Sequence, residues 1–171
     1  MDIEEIYQDI KEKLEQDVVN NFARDGYVHL TGFMMHMTNG EMSVGIIPSQ
    51  NGNKEEMYAT MAMLSNQLHP IAAAMVSEAW MLQLTDIEPE EFEKMTEEGT
   101  MPMPSEHPDR VECVQINFLR FNPLGEVIKN ESTVFNIDRG GKKPILVRQE
   151  LPKDVKMRSR LQDETDYSDK D

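Results

Sequence analysis

The chain has 171 residues, with 17 Lys and Arg against 32 Asp and Glu, a formal net charge of -15, and 39% hydrophobic residues. That length suits one domain with one core, and a field so negative repels phosphate backbones and anionic lipid, so neither direct nucleic-acid binding nor a membrane surface is expected. Cys113 is the only cysteine, which leaves no intrachain disulfide; with an acidic start, Met1 to Glu5, unlike a signal peptide, this points to the cytoplasm.

Ile3, Ile6, Tyr7, Ile10, Leu14, Val18 and Phe22 recur at helical spacing behind Asp2 as N-cap, and Gly26 follows, so a helix is predicted to about Arg24. From Tyr27 to Thr38 a β-prone run leads into Asn39-Gly40, the pair a tight hairpin turn requires, and Met42 to Ile47 reads as the returning strand. Asn53 then caps a second helix with Met57, Met61, Leu64 and Leu68 on one stripe, ending before Pro70. Ile71 to Leu84 is almost continuously apolar, which suits a strand covered on both faces.

Residues 85–108 form an acidic excursion with a short helical piece at Glu90 to Thr96 and prolines at 102, 104 and 108. From Asp86 to Glu112 there are ten acidic residues against Lys94 and Arg110, a local net of -8. Arg110 to Phe121 and Glu126 to Ile137 flank Asn122-Pro123-Leu124-Gly125 as a second hairpin, and Pro144 to Gln149 reads as an edge strand. The expected architecture is α+β, a mainly antiparallel sheet of about six strands with two helices packed on one face. It forms a single domain over residues 1–151, and 152–171 is expected to be a charged, disordered tail.

No glycine-rich phosphate loop, His-Glu-x-x-His, Cys-x-x-Cys or Gly-x-Ser-x-Gly elbow is present, and we expect no cofactor, no resident metal and no catalytic residue. The thiol of Cys113 reads as a small core group, and the fourteen methionines as core filler, with Met101 and Met103 as adaptable contacts in the excursion. The distinctive constellation joins Ser77-Glu78-Ala79-Trp80 to Pro104-Ser105-Glu106-His107-Pro108-Asp109-Arg110-Val111-Glu112. Glu78 shares a strand face with Val76 and Trp80, so it needs the sheet margin or a charged partner; Arg110 is the expected one.

Two readings of this set compete. In one, Glu78 and Arg110 form a structural ion pair and the remaining residues shape turns. In the other, Glu78, Trp80, Ser105, His107, Asp109, Arg110 and Glu112 line a binding pocket. Within it, Glu78, His107, Asp109 and Glu112 suit a metal-assisted hydrolase.

Ser-Glu-Ala-Trp-Met at 77 to 81, with Pro-Ser-Glu-His-Pro-Asp-Arg-Val-Glu at 104 to 112, resembles a pattern in uncharacterised proteins of bacteria and their phages. The matching core runs from about Pro70 to Gln115. The resemblance implies importance for Glu78, Trp80, Ser105, Pro108 and Arg110 and assigns none of them a catalytic role. The sequence thus reads as a small acidic accessory protein that binds another protein or a small ligand. A metal-assisted hydrolase and an acidic, nucleic-acid-mimicking inhibitor of a nucleic-acid-binding protein stand as the alternatives.

Overall fold

The computed structural model describes residues 2–81, 88–100, 108, 110–150, 161 and 165. The elements run α1 (Ile3–Asp25), β1 (Thr31–Thr38), β2 (Glu41–Pro48), α2 (Lys54–Leu68), β3 (Ala72–Met81), α3 (Pro89–Glu98), β4 (Val111–Phe121), β5 (Val127–Asp138) and β6 (Ile145–Gln149). The strands form one open sheet in the order β2-β1-β3-β4-β5-β6, every neighbouring pair antiparallel. The α+β class and the six-stranded antiparallel sheet are those expected from the sequence.

The turns follow their residues. Asn39 and Gly40 both have positive φ, 53° and 80°, the combination a two-residue hairpin loop requires. At the β4–β5 loop Asn122 Oδ1 accepts the N–H groups of Leu124 and Glu126 at 3.0 and 2.9 Å. Asn53 caps α2 by accepting from Glu55 and Glu56, and α1 ends where Gly26 donates its N–H to the Phe22 carbonyl at 2.7 Å.

The placement of the helices differs from expectation: they lie on opposite faces. Tyr7, Val18 and Phe22 of α1 pack with Ala72, Ala74, Val76, Ile116 and Phe118; Met57 and Met61 of α2 pack with Met34, Ala73, Met75 and Leu119. Successive strand residues point to opposite faces, and the odd and even members of β3 divide between the two clusters accordingly. Because β3 is apolar at every position from Ala72 to Val76, it needs cover on both sides, and one helix on each satisfies it. Gly32 shows how closely α2 approaches: a Cβ there would lie 2.6 Å from Met61 Sδ. Met34, Met35, Met57, Met61 and Met75 are all buried as filler of these two layers, while Met101 and Met103 lie outside the described residues.

Two charged clusters bind α1 to the sheet. Glu15 is buried, accepting from Thr133 Oγ1 at 2.6 Å and from Arg148. Nearer the helix start, Tyr7 Oη donates to Glu131 at 3.0 Å, which Lys11 also reaches at 3.3 Å, while Lys129 meets Glu4 at 2.9 Å. Burial and the Glu131 carboxylate hold the Tyr7 phenol far above its ordinary pKa.

Within 152–171, the segment expected to be a disordered tail, only Leu161 and Thr165 are described. Both are helical and fully buried, Leu161 in the α2-side cluster, with Thr165 Oγ1 donating to its carbonyl. At these two positions the chain is packed.

Candidate functional site

The candidate residues lie where β3 leaves the sheet and β4 returns to it. The register pairs Glu78 with Val114, Trp80 with Glu112, and Met81 with Val111. Directly opposed residues share a face, so Glu78, Trp80 and Glu112 all lie on the α1 side, close to the end of that helix.

Each makes a different contact. The Glu78 carboxylate accepts the Val28 N–H at 3.1 Å, fastening the chain just after α1 to β3. Its backbone carbonyl accepts from Lys54 Nζ at 2.8 Å. Glu112 receives the Arg139 guanidinium through both carboxylate oxygens, at 3.0 to 3.2 Å. Trp80 is 46% exposed, with the Arg110 guanidinium 4.7 Å from its ring centroid.

The Glu78–Arg110 ion pair suggested by the sequence is not among the ion pairs of the described residues. Register explains why. The ladder ends where Met81 pairs with Val111, three residues and roughly 10 Å along β3 from Glu78, and Arg110 lies before that last pair on the β4 side. The intervening rung is Trp80, and the guanidinium settles over it.

Of the seven candidate pocket residues, Glu78, Trp80, Arg110 and Glu112 are described and gather at this margin; Ser105, His107 and Asp109 lie outside the described residues. For the metal-ligand set that leaves Glu78 and Glu112, whose carboxylates are engaged by Val28 and Arg139. Among the described residues no group of three His, Cys, Asp or Glu side chains is placed to hold a metal ion.

Behind the margin, Cys113 is buried. Burial pushes its thiol pKa up, the nearby Lys54 ammonium opposing, and burial likewise lowers the pKa of Lys54. A protonated, enclosed thiol is a poor nucleophile, in keeping with its reading as a core residue.

Helix α3 has a character that its helical spacing alone did not disclose. None of its residues is buried, Phe92 is 49% exposed, and Phe92 and Met95 share one side at i, i+3 spacing. Glu90 and Glu91 suit its first turn, but its last turn holds Glu97 and Glu98 and no basic residue, the wrong sign for a helix C-terminus. Arg139, the partner of Glu112, is marked in the sequence by nothing beyond its place beside the Gly140-Gly141 turn.

Compared with protein-family models, curated proteins and solved structures, the chain has no match. No helix among the described residues is long and apolar enough to cross a membrane.

Proposed function

We propose that the chain is a cytoplasmic accessory protein of a bacterium or phage that works by docking another protein, without chemistry of its own. The docking surface is the acidic excursion together with the Trp80–Arg110 pair at its root.

The observation that carries this reading is α3: ten residues, six of them the glutamates and aromatic Phe92 of an acidic helix, with no buried side chain. An isolated helix of that length is marginal in water, and clustered carboxylates at its C-terminal end weaken it further. A basic, partly apolar partner surface removes both handicaps, since it neutralises Glu97 and Glu98 and covers Phe92 and Met95. Exposed Trp and Arg are the residue types that most often dominate binding energy at interfaces. A nucleic-acid-binding partner is the special case in which that basic surface is its nucleic-acid cleft.

The test is capture of a partner by the immobilised protein, its purification, and calorimetric titration against variants. Trp80→Ala and the charge reversal Glu97→Lys with Glu98→Lys should each weaken binding while circular dichroism shows the fold retained. A partner bound equally well by both variants would contradict the proposal.

A further inference from the structure

The two edges of the sheet are built differently. β6 has five residues, follows Lys142-Lys143-Pro144 and contains Arg148; charges and proline of this kind keep a strand edge from pairing with another chain. β2 has eight residues, and from Met42 through Asn53 no side chain is charged, although the chain is 29% charged. The β6 edge carries a charge within the strand, whereas β2 carries none between its terminal residues Glu41 and Pro48.

The hairpin geometry identifies what β2 offers. A two-residue loop with φ positive at both positions makes the flanking pair, Thr38 and Glu41, a hydrogen-bonded one. Bonded and non-bonded pairs alternate along an antiparallel ladder, so Glu41, Ser43, Gly45 and Ile47 bond to β1. The backbone groups of Met42, Val44 and Ile46 point outward. Their side chains lie on the α1 face, where Val44 is 42% and Ile46 66% exposed. There α1 and the sheet edge enclose a mainly apolar groove of about 260 Å³, bordered by Ile10, Lys13, Leu14 and Asp17 of α1 and floored by Phe33, Val44 and Ile46.

We propose that this edge pairs with β2 of a second copy, antiparallel, across a two-fold axis at Val44. That register sets Val44 against Val44, Met42 against Ile46, and Glu41 against Ile47 of the second copy. Every outward-facing residue from 42 to 46 then meets an outward-facing one, the apposed side chains are apolar, and no charge opposes its like. Pro48, whose missing N–H falls at an outward position, ends the ladder.

Charge argues for a second copy over a basic strand from another protein. Across the uncharged stretch a like-charged copy approaches without setting acidic side chains of β2 directly against each other. What repulsion remains comes from the net -15 of each copy and is screened by salt, so association strengthens as salt rises; a basic partner would be released instead. The pairing uses neither α3 nor Trp80 and stands apart from the function proposed above.

Sedimentation equilibrium of the full chain tests it, with salt raised from ~0.05 to ~0.5 M. The expected result is a species of twice 19.7 kDa whose share grows with salt. Val44→Lys, an exposed position that leaves the fold intact by circular dichroism, should give the monomer because it sets two ammonium groups against each other. Val44→Cys should form an intermolecular disulfide on mild oxidation, since the native Cys113 is buried, whereas Gln50→Cys, away from the axis, should not. A monomer at every salt concentration, or a dimer unaffected by Val44→Lys, would overturn the proposal.

Discussion

The guanidinium of Arg110 lies 4.7 Å from the centroid of the Trp80 ring, which couples the end of β3 to the residue just before β4. With Trp80 46% exposed, the contact stabilises modestly: a double-mutant cycle of Trp80→Ala and Arg110→Ala, read by urea denaturation, should give a coupling of about 0.5 to 1 kcal/mol. Strictly additive effects would show that the two side chains do not stack in solution.

Glu15 is held at 10% side-chain exposure by Arg148 and Thr133. Arg148→Ala leaves this carboxylate with a hydroxyl alone, and because Arg148 itself is 56% exposed, the loss should fall below that of a fully enclosed pair, at about 1 to 3 kcal/mol in urea melts. Glu15→Gln in the Arg148→Ala background should restore part of it, since it removes the uncompensated charge.

Leu161 is fully buried against the α2 side of the sheet. Leu161→Ala should therefore cost about 2 to 5 kcal/mol, measured as a fall in the urea midpoint at unchanged slope. A cost near zero would mean that this part of the chain contributes nothing to the core.

Cys113 should resist a thiol reagent in the native protein and react at once in denaturant. Its thiol pKa is raised in the folded state. As pH rises above the ordinary thiol value of about 8.5, the unfolded chain gives up its proton first, and stability falls. Cys113→Ala should lessen that alkaline decline, as followed by thermal melts between about pH 7 and pH 10.

Much of this architecture was legible because local chemistry and fold agree. Asp2, Asn53 and Gly26 mark helix ends, Asn39-Gly40 fixes a hairpin, and the apolar run of β3 announces cover on both faces. That same run held the clue to helices on opposite sides, since a strand covered twice needs two layers. Helical spacing marks Ile10 and Leu14 as core positions of α1, yet Glu15 is buried while those two border the groove. A charged residue four positions after Lys11 and three before Val18 is not visibly core until Thr133 and Arg148, far along the chain, arrive to satisfy it. Likewise, nearness in sequence order favoured Arg110 for Glu78, but pairing register, a long-range property, gave Arg110 to Trp80 and the Val28 N–H to Glu78.

The most direct test of the docking account is the affinity of a purified partner for the wild-type protein and for Trp80→Ala, by calorimetry at matched salt. The account predicts a loss of at least ~30-fold, the ~2 kcal/mol of an interface hot spot, with weaker binding again when Glu97→Lys and Glu98→Lys are introduced and a shallower dependence on salt. Equal affinity for wild type, Trp80→Ala and the α3 charge reversal would contradict it.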